Sequence, residues 1–289
     1  MQLPSGSANN LPHSESCHIA RRLTKEGTVK SFFNLRLPAS RVFLFLSLTI
    51  IFTTGATFLS KRLRAEATQG SSNKDDAALI ESFRHVEVAS VSDASEQILG
   101  KKLYMTHRMR PIFRSKFAGF ALTVHLKKEE NDDPTALNGM LTAIDEGPRN
   151  SVYVMQVDEG ADIAGMGGLM GTAMSARNFS GAVIDGGVRD VAYLEKIGFP
   201  VFATGIVPST SVHHYRFAGA NVPIQCDGVP VRAGDIVVAD SDGVAVVPRE
   251  LAEKVLALAQ QLDFKEHSMY AIIEKARSIV EGVKQFGRL

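Results

Sequence analysis

The densest group of residues that could carry chemistry lies in one glycine-rich segment, between Gly165 and Asp190, which reads GMGGLMGTAMSARNFSGAVIDGGVRD. Glycines at positions 165, 167, 168 and 171 let a ligand approach the backbone closely, because glycine has no side chain in the way. A helix that begins at about Leu169 would direct its free N–H groups at a ligand above this loop. The segment is therefore typical of a site for a small carboxylate or a phosphate.

The end of the same segment, DGGVRD, places Arg189 and Asp190 side by side, after a predicted strand and two-glycine turn. Ligands of α/β proteins commonly bind at such strand ends. An arginine can bind a carboxylate through two N–H groups, and an aspartate can hold Mg²⁺ while water fills its other positions. These residues would suit a metal-bound 2-oxo acid. A surface arginine beside an aspartate that stabilises a helix dipole gives the same spacing, so both interpretations remain open at this point.

A dinucleotide site is the main alternative for the glycine segment. Asp185 lies 20 residues after Gly165, where a ribose-binding acid would stand. However, Met170 occupies the position of the third glycine of that fingerprint, and the seven residues 158–164 separate the preceding strand from the first glycine. The sequence therefore disfavours a dinucleotide.

Other polar residues predict structure rather than chemistry. His213 and His214 are adjacent, so in a strand they would point to opposite faces, and we expect exposed histidines that share no metal. Asp240 and Asp242 flank an apparent hairpin turn before Gly243, and turn chemistry accounts for both.

The elements that must position these residues follow an α/β pattern. Apolar periodicity predicts a short helix from Ser92 to near Gly100, strands at 120–126, 151–157, 181–185 and 201–204, and helices at 163–178 and 190–197. This alternation indicates a parallel sheet. After Asn221, three β-branched runs separated by Asp-Gly or Gly-Asp turns predict hairpins, and apolar spacing from Leu251 to Val280 predicts one or two closing amphipathic helices.

Composition excludes several function classes. The 289 residues carry 32 Lys and Arg against 31 Asp and Glu, a net charge of +1, which disfavours nucleic acid as a partner. The two cysteines, Cys17 and Cys226, can form neither a disulfide framework nor a thiolate zinc site.

The N-terminal part of the chain predicts a membrane anchor. Residues 1–41 read as a disordered polar head, 42–60 as a transmembrane helix or signal anchor, 61–76 as a linker and 77–289 as one domain. The uncharged stretch over 42–59 would span about 27 Å as a helix. We expect a cytoplasmic head and an exported domain; a cleaved signal peptide is the alternative.

The segment from Gly165 to Thr210, continued by NVPIQCDGVPVRAGDIVVADSDGVAVVP, resembles the RraA-like family, which includes 4-hydroxy-4-methyl-2-oxoglutarate aldolases and regulators of ribonuclease E activity. The resemblance covers about residues 84–260. It implies a β/β/α swivelling-type α/β domain with a C-terminal helical segment, assembled as homotrimers or hexamers with sites near subunit contacts.

The resemblance also implies roles for individual residues. The backbone amides of Gly167, Gly168, Leu169 and Met170 would bind the substrate carboxylate. Arg189 would bind the oxo acid, and Asp190 would hold Mg²⁺ or another divalent metal such as Mn²⁺. This chain departs from some active aldolases at Gly168, where they carry an acidic residue.

The predicted function is a metal-dependent lyase that cleaves a 4-hydroxy-2-oxo dicarboxylic acid, decarboxylates oxaloacetate, or does both, with pyruvate as product. A regulatory binding protein that inhibits a ribonuclease without catalysis is the alternative. Retention of Asp190 favours the enzyme, and the near-miss glycine pattern disfavours a methyltransferase.

Overall fold

The computed structural model describes residues 75–286. The helices are α1 (75–84), α2 (Val88–Leu99), α3 (Asn138–Glu146), α4 (Gly168–Ala176), α5 (Val191–Lys196), α6 (Ala252–Ala276) and α7 (Ile279–Phe286). The strands are β1 (Arg110–Pro111), β2 (Phe117–Lys128), β3 (Ser151–Val157), β4 (Ala164–Met166), β5 (Gly181–Val188), β6 (Val201–Ile206), β7 (Tyr215–Ala220), β8 (Ile224–Cys226), β9 (Val229–Val231), β10 (Ile236–Asp240) and β11 (Gly243–Val247).

The centre of the domain is the predicted parallel sheet. Strands β2, β3, β5 and β6 pair in parallel in the order β6-β5-β3-β2, and β4 pairs in parallel with the end of β5. Antiparallel β10 and β11 continue the sheet beyond β2, while β1 pairs with β6 and β7 with β2. Strand β3 is almost fully buried because both of its faces are covered, which explains its continuous apolar run.

Three apolar clusters hold the described residues together. Helices α3, α4 and α5 pack on one face of the sheet through residues such as Met140, Met174 and Leu194. The opposite face packs against the β8–β9 hairpin, where Cys226 and Val231 are fully buried. Helices α1, α2 and α6 cover β10 and β11. Because α4 and α5 share the first cluster, the positions of their N-termini are fixed relative to each other.

The two-glycine turn predicted after Asp185 is wrong. Gly186 and Gly187 lie inside β5, which runs on to Val188. A Cβ on Gly187 would lie 2.8 Å from the Ile163 carbonyl oxygen and 2.3 Å from a Val207 methyl group. Glycine is therefore required because neighbouring segments pack closely against the strand. In the sequence, a glycine pair that is required by such long-range packing looks the same as a glycine pair in a turn.

Three other element predictions need correction. The helix predicted over 163–178 contains β4 and begins only at Gly168. The region after Asn221 forms four strands in two hairpins instead of three runs. Helix α2 ends beside Gly100 as predicted but begins at Val88, because the N–H groups of Glu87 and Val88 donate to carboxylates supplied from far along the chain.

The predicted closing helices are confirmed as α6 and α7. Within residues 75–286, no helix combines the length and apolar character needed to cross a bilayer. The transmembrane helix predicted over 42–60, like the polar head before it, lies outside the described residues and stays a prediction.

Candidate active site

Asp190 joins the starts of two helices. It lies two residues after the end of β5, adopts a left-handed backbone conformation (φ 59°), and its carbonyl accepts the N–H groups of Tyr193 and Leu194 in α5. Its carboxylate Oδ2 accepts the N–H of Gly168, at the start of α4, over 2.8 Å. The carboxylate is thus held in place by α4 while half of the side chain stays exposed.

Gly167 leaves the space that this carboxylate occupies. A Cβ on Gly167 would lie 2.7 Å from Asp190 Oδ2 and 3.1 Å from Arg189 Cγ. No real Cβ tolerates the shorter of these distances, so any other residue would displace the carboxylate. The close approach of a ligand to this glycine stays a prediction, because the group that lies beside Gly167 in the structure is a side chain of the protein itself.

Arg189 lies beside this carboxylate and is anchored on the other side. Its Nη1 donates to the Ser209 carbonyl over 3.1 Å, and its Nε lies 3.9 Å from Asp190 Oδ2. Ser209 Oγ in turn accepts the N–H of Ala164 and donates to the Asp162 carbonyl. Sequence reasoning missed Ser209, since nothing in the pattern between β6 and β7 distinguishes it from an ordinary loop serine.

The N-terminus of α4 presents the other predicted binding groups. The side chain of Met170 is buried in the first apolar cluster, so only its backbone can face a ligand. The side chain of Leu169 is 90% exposed, an unusual position for a large apolar group. The amides of Leu169 and Met170 belong to the first turn of α4, where N–H groups lack helical acceptors.

These groups border one cavity of about 290 Å³ between α3, α4 and the loop that precedes β7. Its charged and titratable lining residues are Asp133, Arg189, Asp190 and His213. All six predicted site residues line it: Gly167, Gly168, Leu169, Met170, Arg189 and Asp190. The structure therefore brings the two ends of the glycine segment together, and it adds a wall from 133–141 and 210–213 that the sequence did not indicate.

Asp133 is part of that wall, but its carboxylate is already engaged. Hydrogen bonds from Thr135 and from the Arg216 guanidinium lower the pKa of Asp133 to about 2. The group is thus a fixed anion bound to internal donors, and a poor proton acceptor.

Asp185, weighed above as a ribose-binding acid, lies elsewhere. It alternates with Ile184 along β5 and so points to the sheet face opposite α4 and α5, where its Oδ2 accepts the N–H of Asp227 over 2.7 Å. Burial raises the pKa of the Asp185 carboxyl. The spacing that suggests a dinucleotide fold therefore has no counterpart in space.

The histidine pair is exposed, as predicted, but it precedes β7 instead of lying in a strand. His214 Nδ1 lies 2.8 Å from Glu130 Oε2, whereas His213 lines the cavity. Among residues 75–286, no three His, Cys, Asp or Glu side chains are grouped as a metal cage. The half-exposed Asp190 carboxylate nevertheless suits Mg²⁺, which protein sites commonly hold through one or two carboxylates with waters and substrate oxygens.

A family model decides the relationship that this geometry suggests. The model described as RraA-like, Aldolase/RraA, matches residues 88–246, more than half of the chain, from the start of α2 into β11. The chain belongs to the RraA-like family. Its α/β domain therefore has the family fold, followed by the helices α6 and α7 beyond the matched region.

Individual relatives agree with this assignment. A protein of Halalkalibacterium halodurans, provisionally named as a 4-hydroxy-4-methyl-2-oxoglutarate aldolase, is 29% identical over 63% of this chain and 82% of its own length. A relative of the same name from Albidiferax ferrireducens is 31% identical over 49% of this chain and 84% of its own. The crystal structure of Streptomyces coelicolor RraAS2, described as an unusual member of the RNase ES inhibitor RraA protein family, shares the fold with a TM-score of 0.61 at 24% identity, covering 70% of this chain and 99% of that one.

Proposed function

We propose that this RraA-like protein is a divalent-metal-dependent lyase that cleaves a 4-hydroxy-2-oxo dicarboxylic acid, in the manner of a 4-hydroxy-4-methyl-2-oxoglutarate aldolase, and also decarboxylates oxaloacetate. The observation that carries the proposal is the convergence of a guanidinium, a carboxylate and a helix N-terminus on one cavity of about 290 Å³. Both reactions release pyruvate after carbon–carbon cleavage, so one site can serve both.

The chain's own groups bind and orient the acid. The first-turn amides of Leu169 and Met170 offer N–H donors to a substrate carboxylate, as helix N-termini do for anions. Arg189, fixed by Ser209, offers its remaining N–H groups to the 2-oxo acid. Its positive charge also stabilises the negative charge that grows on the substrate when the carbon–carbon bond breaks.

Asp190 would hold Mg²⁺ or Mn²⁺, since it supplies an exposed carboxylate beside the substrate groups. When bound, the ion supplies Lewis-acid stabilisation of the pyruvate enolate. The hydrogen bond from Gly168 keeps the carboxylate oriented towards the cavity edge.

We further propose that the protein acts as a homotrimer or hexamer, anchored through residues 42–59 with its catalytic domain exported. The exposed Leu169 and the 44% exposed Tyr193 beside the cavity support a subunit contact there. The uncharged apolar stretch supports the anchor.

The test is pyruvate release by the full chain from 4-hydroxy-4-methyl-2-oxoglutarate and from oxaloacetate, with Mg²⁺ and with EDTA. Asp190→Asn keeps the shape and the acceptor for Gly168, and asparagine tolerates the left-handed backbone, so this variant should fold. We expect EDTA and Asp190→Asn each to lower turnover about 10³-fold or more, while the turn variant Asp242→Asn retains wild-type rates. Release that resists both EDTA and Asp190→Asn contradicts the metal site; no release from either acid favours a binding protein without catalysis.

A further inference from the structure

His213 lines the candidate active-site cavity, although the sequence predicts only an exposed histidine at this position. It lines the same cavity as Arg189 and Asp190 but comes from the loop before β7, outside the glycine segment. Its backbone is left-handed, with φ 69°, a conformation that is uncommon for residues other than glycine. Asp190 shares this conformation, so two polar residues of one cavity are held in uncommon backbone geometry.

Contacts with Asn131 hold His213 at both its backbone and its ring. The N–H of Asn131 donates to the His213 carbonyl over 2.8 Å, and His213 Nδ1 lies 3.1 Å from the Asn131 carbonyl oxygen. A carbonyl oxygen can only accept a hydrogen bond, so Nδ1 carries the proton in this contact. In the neutral ring, Nε2 then keeps the lone pair and is the basic atom.

The other titratable groups that line the cavity are committed to different tasks. Asp133 is bound to Thr135 and Arg216, with a pKa lowered to about 2. Asp190 is bound to Gly168 and is the metal ligand in the proposed function, and Arg189 is a permanent cation. Among the described lining residues, His213 is therefore the side chain with a ring nitrogen that can accept and return a proton.

We propose that His213 is the general base of the aldol cleavage, an inference that rests on the proposed lyase function. Nε2 takes the proton of the substrate's C4 hydroxyl, and the electrons of that O–H bond form the new C4 carbonyl. The C3–C4 bond breaks, and its electron pair moves into the pyruvate enolate. The enolate takes a proton at C3 from solvent and Nε2 gives its proton up to solvent, so the products are pyruvate and a second 2-oxo acid with no net gain or loss of protons.

This role makes a prediction that depends on the substrate. The C4 atom of oxaloacetate belongs to an ionised carboxylate with no hydroxyl proton to remove, so decarboxylation releases CO₂ directly and needs no base at that position. Loss of His213 should therefore slow cleavage of the 4-hydroxy acid while leaving the decarboxylation of oxaloacetate almost unchanged. A residue that only maintained the shape of the cavity would affect both reactions.

The experiment compares His213→Asn with its neighbour His214→Asn in the full chain with Mg²⁺. Asparagine accepts left-handed backbone, so His213→Asn should preserve the loop, and His214 points to Glu130 outside the cavity lining. We expect His213→Asn to lower kcat for 4-hydroxy-4-methyl-2-oxoglutarate about 10²- to 10⁴-fold, with oxaloacetate kcat within about threefold of wild type. His214→Asn should match wild type on both acids.

Three results with the His213→Asn variant would overturn the role of His213. These are an unchanged kcat for the 4-hydroxy acid, an equal loss on both substrates, and a rise in KM with kcat preserved, which would make His213 a substrate-binding group. A wild-type chain that decarboxylates oxaloacetate but does not cleave the 4-hydroxy acid also overturns it. Failure of the wild type on both acids instead removes the lyase function itself, so the two failures are distinguishable.

Discussion

Strand β5 and the residues that follow it carry two aspartates, five residues apart, whose carboxylates lie in different environments. Asp185 lies on the face packed against the β8–β9 hairpin, in a cluster where Asp227 is fully buried and accepts the Arg108 guanidinium over 2.6 Å. Asp190 lies beyond the strand end, half exposed, beside an arginine that contacts it only at 3.9 Å. Both regions pair carboxylates with arginine, so residue type alone does not separate them.

The two regions differ in how many of the carboxylates' hydrogen-bond acceptor positions are filled by donors of the protein itself. In the Asp185 cluster the N–H groups of Thr106 and Asp227 and the side chain of Arg108 all donate to carboxylates, which leaves little capacity for a ligand. At Asp190, partial exposure and a neighbouring cavity leave capacity for one. A site is therefore recognised by the hydrogen-bonding capacity that the fold leaves unused.

The largest expected difference between the two regions comes from removing the arginine of each in turn. Arg189→Ala should lower kcat/KM for pyruvate release about 10²- to 10³-fold with little change in stability, because its guanidinium serves the substrate. Arg108→Ala should leave kcat/KM within about twofold and lower the free energy of unfolding by about 2 kcal/mol, because it leaves buried Asp227 with one donor fewer. Steady-state kinetics and urea unfolding measure both effects; a kinetic loss in Arg108→Ala would show that the two clusters are coupled.

A smaller effect is expected from Gly167→Ala. The new Cβ would stand 2.7 Å from Asp190 Oδ2, so the carboxylate must move by several tenths of an ångström, and we expect kcat to fall about 10- to 100-fold. Gly205→Ala is the matched control, because the nearest heavy atom to its Cβ is the Ala161 carbonyl oxygen at 3.6 Å. Equal activities of the two variants would mean that the position of Asp190 is unimportant for turnover.

The smallest effect concerns Asp185 and depends on pH. Burial raises the pKa of its carboxyl in the folded state, so the folded protein binds this proton more tightly than the unfolded chain does, and stability falls as pH rises from about 3.9 through the raised value. Asp185→Asn keeps an acceptor for the Asp227 N–H and removes this penalty. Thermal unfolding should show the variant slightly more stable than wild type at pH 7, with the gap closing below about pH 3. If the stability of the variant relative to wild type were lower at pH 7 than at pH 3, the burial argument would be contradicted.

The sequence predicts the frame of the domain because its signals are local. The apolar run of β3 and the glycine at position 100 that ends α2 each depend on a few neighbouring residues. The early start of α2 was missed because the carboxylate that accepts the Val88 N–H comes from Asp240, 152 residues away. The extension of β5 through Gly186 and Gly187 was missed for the same reason, since their close neighbours belong to other segments.

The candidate site also has one part that the sequence predicts and one part that depends on long-range contacts. The spacing of Arg189 and Asp190, read with the family resemblance, identified one wall of the cavity. The opposite wall was missed because Asp133 and His213 are brought to it by Arg216 and Asn131, through contacts that no sequence period encodes. The sequence predicts the exposure of His213, whereas its proximity to the glycine segment depends on the fold.

The close packing around Gly165, Gly167 and Gly168, which all line the cavity, gives it a floor that resists substitution and walls that accept it. On the floor, an added methyl group would meet the side chain of Met155, Asp190 or Tyr193 at 2.7–3.0 Å. The walls carry exposed side chains such as Leu141 and Val212, which can change size without disturbing the strands beneath. Selection for a new substrate range, in nature or in a combinatorial library, would therefore accumulate changes at 133–141 and 210–212, leaving the floor glycines as they are.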